Sequence, residues 1–329
     1  MKVGVIGAGG MGTVHSMKYA EMPDVELHVY DMVEERGRIH SERFRSVPHH
    51  SMDSIFEAVD AIDICLPTDL HTEVGIACLE ARIPTLMEKP MAATVEECRV
   101  LMETAQVNET ILMPAQVVRF FPEHKKAHEL ITAGKIGKPA SARMRRGGKA
   151  PAGFQGWFQD LSRSGGVLLD LAVHEFDWLR WTLGEVTTVM ARSVRMGKQV
   201  QWAEFVGDYA LITLTHEGGA VSHVEATWMD PRGFRTTMEI SGSEGVLEFD
   251  SRNNPSLRTH LEDPTSRNES LIHIKDDPYY LELEAFLQAA RGEIEPPVKP
   301  IDGLRAVEIA RAAMLSAETM QPVYLKTSA

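Results

Sequence analysis

Cysteine is scarce in this chain of 329 residues, which contains three: Cys65, Cys78 and Cys98. Their spacing matches neither a zinc-binding motif nor a disulfide framework, and each falls in a predicted strand or helix. Buried thiols of this kind behave as small hydrophobic residues and are typical of proteins in the reducing cytoplasm. We therefore expect a cytoplasmic protein with no metal site and no disulfide bond.

Basic charge and long apolar runs are also lacking. The 34 lysines and arginines are outnumbered by 47 aspartates and glutamates, which leaves a formal net charge of -13. Because nucleic acids and anionic lipids repel such a charge, we expect neither as a partner. No apolar run approaches the roughly 18 residues of a membrane span. The predicted first strand begins at Lys2, so no signal peptide is expected before it.

Length and patterning indicate two domains of different architecture. Hydrophobic residues make up 43% of the chain, which suffices for a sizeable core. Residues 1–120 alternate predicted strands and helices, the pattern of a Rossmann-type, doubly wound parallel sheet. Residues 121–329 contain longer strands with tight turns, which predict an α+β domain with a mostly antiparallel sheet. One long helix, predicted over Gly165–Leu183, interrupts these strands, and residues 253–269 are predicted to be irregular.

A glycine-rich turn lies six residues into the chain. The stretch Gly7-Ala8-Gly9-Gly10-Met11-Gly12 follows a short apolar strand pattern and precedes a predicted helix. This context is the one that a dinucleotide-binding fingerprint requires. Gly7 allows the tight turn, Gly9 lets the backbone approach a pyrophosphate, and Gly12 lets the helix pack against the strand. We therefore predict that the residues from Gly7 to Gly12, with Gly10 and Met11 among them, bind a cofactor.

Asp31 follows the predicted second strand and indicates which cofactor is bound. A carboxylate at this position accepts hydrogen bonds from both hydroxyls of an adenosine ribose and repels a 2′-phosphate. The sequence therefore predicts NAD rather than NADP. The alternative is a glycine-rich turn followed by an ordinary loop aspartate, but strand, spacing and acid together favour the cofactor.

Lys89 closes a predicted parallel strand within Glu88-Lys89-Pro90. Open α/β sheets bind ligands at the carboxyl ends of their strands, and Pro90 restricts Lys89 to extended conformations. A lysine there is able to hydrogen-bond the oxygen of a reacting alcohol or carbonyl and to stabilise developing negative charge. The alternative is a surface lysine that merely ends a strand.

Three ionisable residues recur on the long predicted helix. Asp170, His174 and Asp177 fall at positions i, i+4 and i+7, on one face of a helix otherwise suited to burial. Such groups are costly to bury unless they serve a site. A histidine with a carboxylate one turn away is a plausible proton acceptor whose ring the acid orients. The alternatives are a core histidine with its partner, or a metal-binding pair, although no third ligand is visible.

These motifs together resemble a known family. They occur in the order Gly7-x-Gly9-x-x-Gly12, Pro67-Thr68-x-x-His71, Glu88-Lys89-Pro90, Arg119-Phe120-x-Pro122 and Gly165-Gly166…Asp170-x-x-x-His174-x-x-Asp177. The whole chain thereby resembles the glucose–fructose oxidoreductase, inositol dehydrogenase and rhizopine-catabolism (Gfo/Idh/MocA) family. The glycine fingerprint is common to many families, whereas the Glu-Lys-Pro followed by Asp-x-x-x-His is much more specific.

The resemblance implies an architecture, a reaction and a set of site residues. It implies an N-terminal Rossmann domain and a C-terminal domain that binds substrate and forms homodimers or homotetramers through a large open-faced sheet. It also implies oxidation or reduction of a sugar, an inositol or a related polyol with tightly held NAD(P). By motif, Lys89, Asp170 and His174 match the catalytic residues of the family. The turn residues Leu66 and Pro67, together with Thr68, His71, Glu88, Lys89 and Gln116, are expected to bind the cofactor.

Further residues are candidates for the substrate side. We expect Arg119 to reach the substrate, alongside Asp170 and His174. Trp157 and Asp160 lie in a glycine-rich segment, where an aromatic ring suits the face of a sugar and a carboxylate suits its hydroxyls. A hydrophobic loop packed on the sheet is the equal alternative. The adjacent His49 and His50 are interpreted as a loop pair without an assigned role.

The sequence thus favours an NAD-dependent dehydrogenase that oxidises a secondary hydroxyl of a cyclic polyol or sugar. One alternative retains the family but uses NAD transiently, so that a sugar carbon is oxidised, a glycoside is eliminated and the carbon is then restored. A second alternative is a sugar-sensing regulator without catalysis. The regulator is disfavoured because both Lys89 and His174 are present.

Overall fold

The computed structural model describes residues 1–149, 151, 153–194, 209–230, 232–253, 257–261, 267–269 and 277–326. The first part of the chain contains β1 (Lys2–Ile6), α1 (Gly10–Tyr19), β2 (Glu26–Tyr30), α2 (Glu34–Phe44), β3 (Val47–His49), α3 (Met52–Phe56), β4 (Ala61–Ile64), α4 (His71–Glu80), β5 (Thr85–Glu88), α5 (Val95–Val107) and β6 (Leu112–Ala115). The later elements are α6 (Pro122–Thr132), β7 (Pro139–Gly147), α7 (Leu161–Ser164), α8 (Val173–Leu183), β8 (Val186–Val194), β9 (Tyr209–His216), β10 (Val221–Thr227), β11 (Arg235–Gly242), β12 (Gly245–Asp250), β13 (Leu257–Leu261), β14 (Arg267–Glu269), α9 (Pro278–Ala290), α10 (Pro300–Thr319) and β15 (Val323–Tyr324).

The chain divides into two compact units that are not simple halves of the sequence. The first unit comprises Met1–Val117, Gly153–Trp157 and Asp277–Leu304. The second unit comprises Val118–Ala152, Phe158–Asp276 and Arg305–Ala329. The helix α9 therefore belongs with the first unit although it comes late in the chain. The domain boundary predicted at residue 120 stays a prediction.

The first unit is built on a six-stranded parallel sheet in the order β3-β2-β1-β4-β5-β6. Parallel strands are covered on both faces, so they read as continuous apolar runs, and β1 and β4 are buried accordingly. The strand order reverses between β1 and β4, which is where doubly wound sheets bind ligands. The predicted Rossmann architecture is confirmed.

The second unit contains a sheet of nine strands within the described part of the chain, in the order β14-β13-β12-β11-β7-β10-β9-β8-β15. Its strands pair antiparallel except for β7 with β10. Along β7, Ala142 and Met144 are buried, whereas Arg143 is exposed and Arg145 half-buried. This alternation shows one covered and one open face. The mostly antiparallel sheet predicted from the sequence is confirmed.

The long helix predicted over Gly165–Leu183 is wrong in its first part. The structure has the four-residue α7, then a π-helical turn over Val167–Leu171, and only then α8. The cause lies in Gly165 and Gly166, whose φ angles of 68° and 66° are incompatible with a right-handed helix. A Cβ atom on Gly165 would also lie 2.4 Å from Leu169 Cδ2.

Two other predictions need correction. The interval 253–269 contains β13 and β14, because apolar Leu257 is buried and the polar residues around it form an edge ladder. His49, interpreted as a loop residue, lies in β3, a three-residue edge strand too short to show a pattern. The sequence also predicts strands over residues 186–196 and 206–215, of which residues 195–196 and 206–208 lie outside the described part of the chain.

Candidate active site

The glycine turn after β1 is tightly packed on its inner side and open on its outer side. Gly7 has a φ of 103°, and a Cβ atom there would lie 2.6 Å from the carbonyl oxygen of Cys65. A Cβ atom on Gly12 would lie 1.9 Å from the Gly7 oxygen. By contrast, the atom nearest to a Cβ on Gly9 is Arg36 Nη2 at 3.5 Å, and Gly10 has nothing within 4 Å. The turn therefore leaves its outer backbone accessible to a phosphate group.

The helix that begins at this turn presents unsatisfied N–H groups. Helix α1 starts at Gly10, and its N-cap residue Gly9 provides no side-chain acceptor. Its first turn contains no acidic residue. The free N–H groups and the positive end of the helix dipole are thus available to an anion, which fits the pyrophosphate of a dinucleotide.

Asp31 is held rigidly beside the turn. Its carboxylate accepts hydrogen bonds from the backbone N–H of Ala8 and of Val33, both at 2.8 Å. Arg36 Nη2 lies 3.4 Å from the same carboxylate, and the Arg36 guanidinium stacks 4.4 Å from the ring centroid of Phe154. The carboxylate at the end of β2 is therefore fixed next to the glycine turn, as ribose recognition requires.

His71 connects the turns that follow β4 and β5. Its Nδ1 lies 2.9 Å from the Pro90 carbonyl oxygen, and its Nε2 lies 2.9 Å from the Leu66 carbonyl oxygen. Burial lowers the pKa of His71. A neutral imidazole has one N–H, so His71 donates to one of these two carbonyl oxygens, and its buried ring lies between the two turns, next to Pro67 and the buried Thr68.

Gln116 carries a buried side chain whose unsatisfied amide indicates a ligand-binding site. It follows β6, whose neighbour β5 ends at Glu88, and it is 1% exposed. Among the described residues, neither Oε1 nor Nε2 of its amide has a hydrogen-bond partner. Because an unsatisfied buried amide is costly, this group fits a bound polar molecule at the carboxyl edge of the sheet. Together with the open glycine turn and Asp31, these residues fit a dinucleotide.

Glu88 and Lys89 lie at the same edge. The Glu88 carboxylate accepts a hydrogen bond of 2.9 Å from the Lys89 backbone N–H, and the Lys89–Pro90 peptide bond is cis. His15 Nε2 lies 3.3 Å from Glu88 Oε1. Burial works to raise the pKa of Glu88, but His15 and Lys89 hold it below its usual range. Glu88 is therefore a buried carboxylate in its charged form.

In the second unit, Asp170 and His174 lie on different kinds of turn. Asp170 is 3% exposed and belongs to the π-helical turn, whereas His174 is half-buried in the first turn of α8. A π turn changes the angular step per residue, so the placement of Asp170, His174 and Asp177 on one face stays a prediction. Asp177 accepts two hydrogen bonds from Arg119, at 2.6 and 2.7 Å.

The remaining substrate candidates have local structural partners. Asp160 caps α7, since its Oδ1 accepts hydrogen bonds from the Ser162 N–H at 3.0 Å and the Ser162 hydroxyl at 2.6 Å. Trp157 is half-buried and lies in the short 3-10 segment Phe154–Gln159, of which Gly153–Trp157 groups with the first unit. Contact of Arg119, Trp157 or Asp160 with a substrate stays a prediction.

Both units match models of one protein family. Residues 1–116 match the oxidoreductase family with an NAD-binding Rossmann fold, and residues 124–248 match the GFO/IDH/MocA C-terminal domain. The chain belongs to the GFO/IDH/MocA oxidoreductase family. The family resemblance drawn from the motifs is therefore confirmed.

Members of the GFO/IDH/MocA family are similar to this chain over its whole length. The myo-inositol 2-dehydrogenase of Thermotoga maritima is 29% identical, with 99% of each chain covered. The scyllo-inositol 2-dehydrogenase (NAD(+)) of Bacillus subtilis is 26% identical, covering 99% of this chain and 96% of its own. A levoglucosan dehydrogenase solved with NADH and levoglucosan is 25% identical, with a TM-score of 0.88 and 99% of each chain covered.

Sequence reasoning missed several buried groups of this GFO/IDH/MocA protein. It assigned nothing to His15 and Asp63, whose side chains lie 2.8 Å apart, nor to the buried pair of Arg146 and Glu175 at 2.6 Å. One signal was present: Asp63 interrupts a central parallel strand, where burial of a carboxylate is energetically costly.

Within the part of the chain that the structure describes, every helix is too short or too polar to span a membrane.

Proposed function

We propose that this protein is an NAD-dependent dehydrogenase that oxidises a secondary hydroxyl of a cyclic polyol or sugar. The proposal is supported by two groups of residues that lie at the same edge of the parallel sheet. The open glycine turn with Asp31 follows β1 and β2, and Lys89 with the unsatisfied Gln116 amide follows β5 and β6. The similarity to inositol and levoglucosan dehydrogenases supports the substrate class.

We propose three catalytic residues. NAD, when bound, supplies the hydride acceptor. His174 accepts the proton of the substrate hydroxyl, and Asp170 orients the imidazole and stabilises its protonated form. Lys89 donates a hydrogen bond to the same oxygen and stabilises its developing negative charge.

The binding residues follow the same division. We propose that residues 1–120 form the cofactor domain and residues 121–329 the substrate and oligomerisation domain. The proposed cofactor contacts are Gly7, Gly9, Gly10, Met11, Gly12, Asp31, Leu66, Pro67, Thr68, His71, Glu88, Lys89 and Gln116. The proposed substrate contacts are Arg119, Trp157, Asp160, Asp170 and His174.

Substitution of the proposed catalytic residues tests the assignment. We expect Lys89→Ala and His174→Ala each to lower kcat by about a hundredfold or more, because each removes a group that acts in the transition state. NADH binding, followed by fluorescence titration, should persist in both variants. Lys125→Ala and His50→Ala, at exposed positions, serve as matched controls. Turnover near that of the wild type in both test variants would refute the assignment.

A substrate panel separates the candidate reactions. Inositols, aldoses, anhydrosugars, sugar acids and glycosides are incubated with the protein and NAD, and both NADH absorbance and product are followed. Accumulating NADH supports the dehydrogenase. Product without net NADH indicates the transient use of NAD, and ligand binding without any product indicates a sensor.

We also propose a homodimer or homotetramer formed through the open face of the nine-stranded sheet, in the cytoplasm. That face carries both signs of charge, including the ion pair of Arg145 with Glu225 at 2.8 Å and that of Arg143 with Glu239. It also carries Leu211, which is 56% exposed. A surface with both signs of charge is able to pair with its own copy about a two-fold axis. The buried free thiols support a reducing compartment.

A further inference from the structure

A chain of ionisable side chains is buried behind the turn that carries Lys89. His15 Nδ1 lies 2.8 Å from Asp63 Oδ2, and His15 Nε2 lies 3.3 Å from Glu88 Oε1. Asp63 and His15 have no exposed surface, and Glu88 is 5% exposed. The other carboxylate oxygen of Glu88 accepts the Lys89 backbone N–H. The contacts thus run without a gap from β4, through α1, to the backbone of Lys89.

Protonation of His15 offsets one of the two carboxylate charges along this chain. Two buried carboxylates flank one imidazole, and a buried carboxylate is costly without a compensating cation. Burial works to lower the pKa of His15, but the Asp63 carboxylate raises it well above its usual value. A doubly protonated ring donates a hydrogen bond from Nδ1 to Asp63, and its Nε2 lies within ion-pair distance of Glu88 Oε1 without a well-aligned hydrogen bond.

We propose that Asp63, His15 and Glu88 form a buried ion-pair chain that fixes the Glu88-Lys89-Pro90 turn, so that His15 is a positioning residue for Lys89. The inference rests on the proposed function, because it gives Lys89 the catalytic role stated above. Because His15 holds the Glu88 side chain in one conformation, Glu88 fixes the backbone N–H of Lys89. Loss of His15 should therefore lower the catalytic rate even though the Lys89 side chain is unchanged.

A metal site at the same place is the competing interpretation. Ligand atoms of His15, Asp63 and Cys65 lie within 4.8 Å of one another. Both ring nitrogens of His15 already face carboxylate oxygens, however, and a metal ligand needs a free nitrogen lone pair. Burial raises the pKa of the Cys65 thiol, which disfavours the thiolate that a metal requires.

The groups that face His15 define what controls its protonation. Those groups are Asp63 and Cys65 at the end of β4, Glu88 of β5, Tyr19 one turn along α1, and Tyr279 of α9, whose ring centroid is 6.0 Å away. Burial, together with the nearby charges of Asp63 and Glu282 of α9, raises the pKa of Tyr19. Because the two nearest partners are carboxylates, neutralising either one should release the proton of His15 at a lower pH.

Nuclear magnetic resonance of the full-length protein labelled with ¹⁵N-histidine tests the chain directly. We expect the His15 ring, assigned by its loss in His15→Gln, to be doubly protonated at pH 8. In Asp63→Asn and in Glu88→Gln it should become neutral at that pH. A neutral His15 in the wild type, or a stoichiometric metal in the purified protein, overturns the proposal. This measurement needs no substrate, so it stands even if the proposed dehydrogenase reaction fails.

Kinetics of two His15 variants test the positioning role. The amide of His15→Gln reaches toward Glu88, whereas that of His15→Asn reaches only toward Asp63. We expect kcat to fall about tenfold to a hundredfold in His15→Asn and less in His15→Gln, while the NADH dissociation constant changes by about threefold at most. His28→Gln changes a buried histidine of β2 outside the chain and is the matched control. Equal kcat in all three variants, or a loss confined to NADH affinity, contradicts the role.

Discussion

At the scale of single residues, Asp31 is the residue that we propose to favour NAD over NADP. Its carboxylate is fixed by two backbone N–H groups, with Arg36 beside it. We predict that Asp31→Ser raises the KM for NAD by about tenfold and improves the use of NADP, because the variant loses the ribose acceptor and leaves Arg36 to face a 2′-phosphate. Steady-state kinetics with both cofactors measures the ratio, and Asp53→Ser, at an exposed position of α3, is the control. An unchanged preference for NAD would remove Asp31 from ribose recognition.

Gln116, which we propose to bind the cofactor, carries a group that is expected to reduce stability. In the described part of the chain its buried amide has no hydrogen-bond partner. An unsatisfied buried polar group costs about 1–3 kcal/mol, so we predict that Gln116→Met raises the free energy of unfolding of the cofactor-free protein by about 1 kcal/mol. The same change should weaken NADH binding by about tenfold, because the methionine side chain cannot replace the hydrogen bonds of the amide to the ligand. Denaturant titration and fluorescence titration measure the two effects. A loss of stability without a loss of affinity would indicate a purely structural amide.

At the scale of the element, α6 carries a histidine that makes the second unit sensitive to acid. His124 lies between Trp178 and Phe249, with ring centroids 5.6 and 5.2 Å away. Burial, helped by the charge of Arg146, lowers the pKa of His124 to about 3. Because the unfolded chain binds this proton near pH 6.5, the unfolded state gains protons before the folded state does as the pH falls.

We therefore predict that the free energy of unfolding falls by about 1.4 kcal/mol per pH unit from His124 alone as the pH decreases from about 6.5 toward the folded-state pKa. His124→Phe retains the ring packing and should remove this slope. Denaturant titrations at several pH values compare the two proteins, and His223→Phe, at an exposed position of β10, controls for the substitution. Parallel pH profiles for wild type and His124→Phe would contradict the prediction.

The elements also show what the sequence was able to predict. Thr94 and Glu97 have the spacing of a capping box, and the Thr94 hydroxyl indeed accepts the Glu97 N–H at 3.2 Å while the Glu97 carboxylate accepts the Thr94 N–H at 2.8 Å. Such signals are local, so they can be recognised in the chain itself. The glycine turn belongs to the same class.

Features that depend on distant partners were not predictable. The π-helical turn at Val167–Leu171 depends on the left-handed glycines before it and on the packing of the buried residues that follow. The local sequence around Asp177 does not indicate its ion pair with Arg119, which lies 58 residues earlier in the chain. His15 and Asp63 are likewise 48 residues apart. Catalytic candidates were found because motifs carry them, whereas their supporting side chains are set by tertiary contacts.

At the scale of the whole molecule, the open sheet face sets the state of assembly that we expect. We predict that Leu211→Glu converts the oligomer into monomers, because it places an unpaired charge at the centre of the proposed interface. Size-exclusion chromatography with light scattering measures the mass. Leu315→Glu is the control, since Leu315 is 49% exposed on α10 rather than on the sheet. A wild-type monomer, or an oligomer unaffected by Leu211→Glu, would place the interface elsewhere or exclude it.

The late arrival of α9 in the first unit has a consequence for how this protein is divided or recombined. Lys18 of α1 pairs with Asp277 at 3.1 Å, and Tyr279 lies against His15, so residues after 276 complete the surroundings of the first helix. A gene truncated near codon 120 would encode the nucleotide-binding sheet without α9, the helix that packs against α1. Chimeras that exchange specificity between relatives should therefore transplant residues 118–152, 158–276 and 305–329 together, and leave residues 277–304 with the first unit of the host.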